Sequence, residues 1–179
     1  MRIIRLAALI SIALVLAVAV AGGADDQLRW RRTSPHALIG VQGTELLLQV
    51  IGGRARGVES APIQIAPSGA YRAEVKLTVP EDAHARGAFL RLALYARADG
   101  GGRQALRLDS PLASGGSDAE RIIDFVAPSW AHAAKLRLLV RREPGMREVA
   151  APVRARGASL HAIQSARPVP EVVLREPDE

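Results

Sequence analysis

The feature that most constrains this fold is a strict alternation of apolar and polar residues in short stretches. It is clearest in YRAEVKLTV, residues 71–79, where Tyr71, Val79 and every second residue between them are apolar. Successive side chains of a β-strand point to opposite faces, so this stretch predicts a strand with one buried face. Pro80 then ends the strand, because proline has no backbone N–H to donate to a ladder.

The same alternation recurs between turns rich in Gly, Pro and Ser. In GAFLRLALYAR, residues 87–97, it predicts that Leu90, Leu92, Leu94 and Ala96 face inward. Similar stretches lie at residues 45–51, 63–69, 103–109, 120–126, 135–142 and 147–163. Short, evenly spaced strands with no long helical pattern between them are typical of an antiparallel β-sandwich. We therefore predict an all-β domain over residues 45–165, after a linker or edge segment at 25–44 and before a proline-rich tail at 166–179.

The N-terminal residues 1–24 predict export. Two arginines precede a largely apolar run from Leu6 to Ala21, and small residues then lead to the pair Asp25 and Asp26. This is the pattern of a secretory signal peptide. The run also approaches the roughly 17 apolar residues that are the least a membrane span needs, so an uncleaved anchor helix stays open. In both cases the domain is predicted to be periplasmic, either soluble or held at the inner membrane.

Composition narrows the classes further. The chain has no cysteine, which excludes disulfides, thiolate metal sites and a lipoprotein anchor. Asparagine is absent and Ala, Gly and Arg are abundant, which indicates a GC-rich bacterial coding sequence. The net charge is +6, but the arginines alternate along strands rather than forming a run with aromatic residues. That distribution, together with export, argues against nucleic acid as a partner.

The stretch DFVAPSWAHAAKLRLLVRR, residues 124–142, combines two strand patterns with an alanine-rich middle. Pro128 ends the first strand, and residues 129–134 are predicted to make a helical turn or two before Lys135 restarts a strand. This motif, with the early strand at 71–79 and the Gly-rich turn after Arg97, resembles jelly-roll carbohydrate-binding modules of the galactose-binding-domain-like superfamily. The resemblance covers about residues 60–165.

The resemblance implies an antiparallel jelly-roll sandwich, preceded here by the hydrophobic signal or anchor helix, whose concave face or end loops hold a sugar. Modules of this kind commonly present aromatic platforms and Asn, Gln or Asp side chains to the ligand. This chain has no Asn and an aromatic fraction of only 3%, so the family's binding residues do not carry over one by one.

Candidate ligand-binding residues follow from the chemistry of single side chains. Trp130 in the crossover would suit a sugar ring, although such a tryptophan would also suit the end of the sandwich core. Tyr95, Arg91 and Arg97 share an outward strand face and could hold an acidic glycan through stacking and bidentate hydrogen bonds. The alternative is that a second sheet packs over that face.

Signatures of catalysis are missing from the sequence. It contains no Gly-x-Ser-x-Gly elbow, phosphate loop, dinucleotide glycine pattern or His-Glu-x-x-His pair, and we interpret the chain as not an enzyme. No cofactor is predicted. Acidic residues near loops have the oxygen chemistry of a structural calcium site but no spaced motif; they are Asp99, Asp109, Asp118, Glu120 and Asp124.

Two functional hypotheses remain at this point. The first is a non-catalytic carbohydrate-binding module of the bacterial envelope, accessory to polysaccharide synthesis or export. The second is a structural or assembly protein that docks on an envelope protein at the membrane and binds no sugar. If uncleaved, the N-terminal segment would also make the membrane itself a partner.

Overall fold

The computed structural model of this chain describes residues 28–50, 54–83, 85–142 and 151–164. These residues contain eleven β-strands, one short 3-10 turn at Glu81–Ala83 and no α-helix. In chain order the strands are β1 Trp30–Arg32, β2 Ala37–Gln42, β3 Glu45–Val50, β4 Arg56–Ser60, β5 Ile63–Gln64, β6 Ala70–Val79, β7 Ala85–Tyr95, β8 Leu106–Asp109, β9 Ser117–Val126, β10 Ala133–Arg142 and β11 Val153–Ala162. The predicted signal or anchor segment and the proline-rich tail lie outside the described residues.

The strands form two sheets in which all pairing is antiparallel. The first sheet has the order β1-β4-β10-β7-β8, with β5 also paired to β10. The second sheet has the order β2-β3-β11-β6-β9. Neighbours in space are mostly distant in sequence, as in a jelly roll, and the predicted antiparallel sandwich is confirmed.

The core lies between the two sheets and follows the predicted alternation. On β6, Ala73, Val75, Leu77 and Val79 are all at most 1% exposed. They pack in one cluster with the inward residues of the first sheet, which are Val58, Leu90, Leu92, Leu94, Ala134, Leu136, Leu138 and Val140. The prediction for Ala96 is wrong: this residue is exposed because β7 ends at Tyr95.

The crossover between β9 and β10 is a connection, as the sequence pattern indicates, but it contains no helix. Its single turn is closed by the N–H of Ala131, which donates to the carbonyl of Pro128 at 2.9 Å. The N–H of His132 already donates to the carbonyl of Tyr95 at 3.0 Å, so pairing with β7 begins directly after this turn. The strand therefore restarts at Ala133, two residues before the predicted Lys135.

The segment predicted as a linker or edge supplies an edge strand to each sheet within its described part, β1 to the first and β2 to the second. At the end of β1 the Thr33 hydroxyl donates to the Gly57 carbonyl at 3.0 Å, and the Gly57 N–H donates back to it at 3.1 Å. A Cβ on Gly57 would lie 1.8 Å from the Leu138 carbonyl oxygen, so only glycine fits there. This close approach joins β1, β4 and β10 into one surface.

No helix in the described ranges is long and apolar enough to cross a membrane. The apolar run from Leu6 to Ala21 is not among the residues on which this finding rests.

Candidate ligand-binding groove

A groove of about 1160 Å³ lies on the outer face of the first sheet. The second sheet packs against the opposite face, and no described strand packs over this one. The volume exceeds the roughly 300–1,000 Å³ of sites for small molecules, which leaves room for an oligomer. The walls and floor come from the edge strand β1, from β4, β7 and β10, and from the Gly-rich turn at 99–102.

A single buried carboxylate organises the groove floor. Glu59 on β4 is 5% exposed. Its Oε1 accepts hydrogen bonds from Nη2 and Nε of Arg31 at 2.6 and 3.1 Å, and its Oε2 accepts one from Nε of Arg137 at 2.5 Å. The ammonium of Lys135 lies 3.7 Å from Oε1. Three cations therefore surround one anion.

The same arrangement keeps Glu59 ionised. Burial alone would raise the pKa of this carboxyl, but hydrogen bonds from Arg31 and Arg137, with the charges of Arg137 and Lys135, outweigh it. The net result is a pKa below the ordinary glutamate value. Glu59 is thus a fixed negative charge at neutral pH.

Tyr95 lies on the groove floor beside this cluster and is 4% exposed. The Lys135 ammonium sits over its ring, 4.6 Å from the centroid. Its hydroxyl accepts a hydrogen bond from Nη2 of Arg137 at 3.0 Å, while Nη1 of Arg137 donates to Gln104 at 2.9 Å. The predicted aromatic platform is therefore already covered by a cation.

Arg91 lines the groove from β7. Its Nε and Nη2 donate to the two carboxylate oxygens of Asp109 at 2.6 and 2.7 Å, and its guanidinium lies 5.4 Å from the centre of the Phe89 ring. The hydrogen bond to Asp109 raises the pKa of Arg91. These contacts hold the side chain in one orientation.

The Gly-rich turn closes one end of the groove. Asp99 accepts the N–H of Gly101 at 2.8 Å and pairs with Nε and Nη2 of Arg97 at 3.2 and 2.9 Å. The Gly101 N–H and then Arg97 lower the pKa of Asp99. Gly100, with φ +63°, packs so closely on Lys135 that a Cβ would lie 2.7 Å from its Cε. The turn thus packs against the same Lys135 side chain that lies over the ring of Tyr95.

The structure separates the predicted site residues. Tyr95 and Arg91 are in the groove, whereas Arg97 pairs with Asp99 in the turn and does not line it. Trp130 is half-buried against the core and is also not in the groove. Its position matches the alternative role at the end of the sandwich core.

Sequence reasoning missed Glu59 and its ring of cations. The alternation in β10 points Lys135 and Arg137 outward and could have identified them. No such signal marks Glu59 or Arg31, because both lie in short strands with little apolar alternation.

Four of the five acidic residues considered for calcium, all but Glu120, are engaged elsewhere. Asp109 pairs with Arg91, Asp118 with Lys76 and Asp124 with Arg72, and Asp99 is held in the Gly-rich turn. Within the described residues, no group of three or more His, Asp or Glu side chains is arranged to hold a metal ion.

Several solved structures share this fold. The CBM22-1 and GH10 modules of Clostridium thermocellum xylanase 10B, complexed with xylohexaose, give a TM-score of 0.55 at 7% identity over 80% of this chain and 28% of that chain. The C-terminal family 22 carbohydrate-binding module of C. thermocellum Xyn10B gives 0.50 at 15% identity over 79% and 89%. The enzymatically active domain of bacteriophage CBA120 tailspike protein 4 gives 0.52 at 10% identity over 77% and 20%.

The present chain thus spans less than a third of the tailspike and xylanase structures, but most of the isolated module. No protein-family model matches the sequence, and no curated protein sequence matches it either. At 15% identity or less these similarities establish the fold. They confirm the resemblance to jelly-roll carbohydrate-binding modules at that level.

Proposed function

We propose that this chain is a non-catalytic carbohydrate-binding β-sandwich and that the groove on the first sheet is its binding site. The groove carries the proposal: it is a preformed depression of about 1160 Å³ on the open face of one sheet. It combines many hydrogen-bond donors with a volume that leaves room for an oligomer. The shared fold supports the proposal by analogy, since fold alone does not determine function.

The state of the groove carboxylates supports a role in binding rather than hydrolysis. Glycoside cleavage commonly needs one carboxylic acid with a raised pKa and a second, ionised carboxylate beside it. The two carboxylates that line the groove are Glu59 and Asp99, and their partners lower the pKa of both. Neither is suited to hold the proton of a general acid at neutral pH.

The N-terminal sequence supports a location outside the cytoplasm. We place the sandwich in the periplasm of a bacterium, accessory to polysaccharide synthesis or export, with residues 1–24 as a cleaved signal or an inner-membrane anchor. The mass of the chain recovered from its native host would test this. Loss of about the first 24 residues indicates cleavage, the intact mass in a membrane fraction indicates anchoring, and the intact mass in the cytosol would refute export.

The binding site is tested with a substitution that fills part of the groove without changing its charge. Ala61 is exposed on the groove wall, and its N–H donates to the Arg29 carbonyl at 2.7 Å. Ala61→Met would place a long uncharged side chain in the groove. Ala105→Met is the matched control: Ala105 is also exposed and backbone-bonded, at 3.1 Å to Leu94, but lies outside the groove.

Affinity electrophoresis of the full chain toward the cathode, in gels containing neutral or acidic polysaccharides, provides the measurement. A polyoxyethylene detergent is suitable because it carries no sugar. We expect at least one polymer to retard the chain, with Ala61→Met weakening the retardation and Ala105→Met leaving it unchanged. Equal weakening by both would move the site elsewhere. No retardation on any polymer would refute the proposal for those polymers and favour docking on an envelope protein.

A further inference from the structure

We infer that the groove selects acidic polysaccharides, whose carboxylate or sulfate groups it binds with arginine and lysine side chains. The inference rests on the proposed function and adds the class of ligand. It is carried by three observations about the described residues: the charge balance of the groove, its occupied aromatic ring, and the contrast with the outer face of the second sheet.

The groove carries a large excess of positive charge. Seven cationic side chains line it against two carboxylates, and the cations are Arg29, Arg31, Arg32, Arg56, Arg91, Lys135 and Arg137. Three of them, Arg31, Lys135 and Arg137, share the single carboxylate of Glu59. A concave surface lined by one sign of charge concentrates ligands of the opposite sign. Arg91 is already paired with Asp109, and Arg56 has an interaction of its own, but the other five cations still outnumber the two carboxylates, and a neutral ligand would leave that excess uncompensated.

Two of these seven cations lie on the rim of the groove, at the beginning of the described chain. Arg29 and Arg32 are exposed, and within the described residues their side chains make no hydrogen bond or ion pair. Between them, the side chain of Arg31 is 71% exposed although it contacts Glu59. Guanidinium groups bind carboxylate and sulfate oxygens through paired hydrogen bonds, which are stronger than those to neutral hydroxyls.

The means of holding a neutral sugar are scarce in the groove. Stacking on an aromatic face is a common way to hold an uncharged ring, whose own surface is partly apolar. Tyr95 is covered by Lys135, and Trp30, which also borders the groove, packs against the core. The ring of Tyr95 is therefore closed to a ligand, and Trp30 is only partly exposed. Affinity must therefore come mainly from charge-assisted hydrogen bonds.

The second sheet shows that this excess is local. On its outer face Arg72 pairs with Asp124 and Lys76 with Asp118, so each of these two cations has a close carboxylate. If a ligand were attracted only by the overall charge of +6, substituting any exposed arginine would lower its affinity to the same extent. If the ligand binds in the groove, substituting the rim arginines Arg29 and Arg32 should lower its affinity the most.

Paired double variants test the inference. Arg29→Ala with Arg32→Ala removes two rim charges, and Arg86→Ala with Arg154→Ala removes two exposed charges from outside the groove. All four arginines are exposed, so both variants should fold, which circular dichroism and the thermal midpoint check. The probes are polygalacturonate and dextran sulfate as acidic polymers, with xylan and dextran as neutral ones.

Affinities of the full chain in polyoxyethylene detergent are then compared. We expect an acidic polymer to bind more tightly than either neutral one. The rim variant should lower that affinity about tenfold, and the control variant should change it less than about twofold. Raising the salt from about 0.05 to about 0.5 M should weaken acidic binding, because screening shortens the reach of the charges. Polygalacturonate and dextran sulfate separate carboxylate from sulfate recognition.

The remaining outcomes overturn the inference in distinguishable ways. Equal losses in both double variants would mean attraction by net charge, without a groove site. Tight binding of xylan or dextran that survives the rim variant would refute acidic selectivity while leaving the proposed function intact. Absence of binding to all probes would refute both proposals for these polymers.

Discussion

The two outer faces of the sandwich use the same kinds of residue in different ways. On the second sheet, Arg72 and Asp124 form a two-bonded pair at 2.8 Å across β6 and β9, with side chains 39% and 37% exposed. On the first sheet, Glu59 is buried under three cations, with a shortest contact of 2.5 Å. One face has ion pairs that are exposed to water, whereas the other has a buried carboxylate with surplus positive charge around it.

From this difference we infer that two properties set how much an ion pair contributes to stability. They are the burial of its side chains and the number of cations for each carboxylate, rather than the contact distance. Exposed pairs are screened by water and salt, and they contribute little to stability. A buried charge is costly unless it is compensated, so removing its partner has a large effect. The ion pairs of the second face are therefore solvated and contribute little to stability. On the first face the fold depends on Glu59, and the surplus cations are able to bind an anion.

The largest expected effect comes from neutralising the groove carboxylate. Glu59→Gln keeps the shape of the side chain but leaves Arg137 and Lys135 near the floor without a counter-charge. We expect a loss of about 3 kcal/mol in the free energy of unfolding, as for other broken buried pairs. Urea unfolding followed by circular dichroism measures it.

Asp124→Asn provides the matched control on the solvated face. It removes a carboxylate that accepts two hydrogen bonds of 2.8 Å, but water can solvate the Arg72 left behind. We expect only a small fraction of the Glu59→Gln loss. Comparable losses in the two variants would mean that the faces do not differ as described.

Acid should reproduce part of the same effect in the unchanged chain. The folded-state pKa of Glu59 lies below the ordinary value of 4.5, so the ionised form contributes stability above about pH 4.5. That contribution is lost as the pH falls through the lower folded pKa, because the unfolded chain binds the proton first. The stability gap between the wild type and Glu59→Gln should therefore close in acid.

Urea midpoints measured between neutral pH and about pH 3 would follow this closure, with Asp124→Asn again as control. Hydrogen bonds from Arg72 lower the pKa of Asp124 as well, so its smaller gap should close in the same direction. A gap for Glu59→Gln that stays constant down to pH 3 would show that the charge of Glu59 does not stabilise the fold.

The sequence predicted the architecture where apolar burial alternates. Leu90, Leu92 and Leu94 lie inward because a half-buried strand must place every second side chain in the core. Strand pairing could not be predicted in this way, since neighbours such as β4 and β10 are far apart in sequence. The outer-face prediction for Tyr95 followed from the same alternation, but its cover by Lys135 did not.

The floor of the groove was unpredictable for a specific reason. β4 is short, and its central residues are Gly57, Val58 and Glu59, of which only Val58 is apolar. Its burial depends on polar pairing: the Ser60 hydroxyl accepts the N–H of Leu136 at 3.0 Å. An apolar pattern cannot report a strand that is buried through hydrogen bonds and ion pairs.

A smaller effect is expected from two glycines with the same positive φ angle. Gly100 in the groove turn and Gly157 on β11 both have φ +63°, so alanine costs about 1 kcal/mol at either position. At Gly100 the new Cβ would also press on Cε of Lys135 at 2.7 Å and on Pro62 at 3.0 Å, whereas at Gly157 nothing lies within 4 Å.

We therefore expect Gly100→Ala to be less stable than Gly157→Ala by about 1 kcal/mol, the lower end of overpacking costs. The difference between their urea midpoints measures the packing of the turn on Lys135, since the cost of a positive φ is common to both variants. Equal midpoints would mean that Lys135 moves aside freely and that the Gly-rich turn does not hold it against Tyr95.

The smallest effect should be the coupling between Arg72 and Asp124. A double-mutant cycle isolates it, with Arg72→Ala, Asp124→Ala and the double variant compared in urea unfolding. Although both hydrogen bonds measure 2.8 Å, we expect the coupling to be near the limit of detection and to vanish at about 0.5 M salt, because both side chains are open to water. The same cycle on Arg137 and Glu59, at 2.5 Å, should give a larger coupling that salt changes little. If the exposed pair coupled as strongly as the buried one, contact geometry rather than burial would set the strength of these pairs. The buried cluster around Glu59 would then not differ in strength from the exposed pairs of the second face.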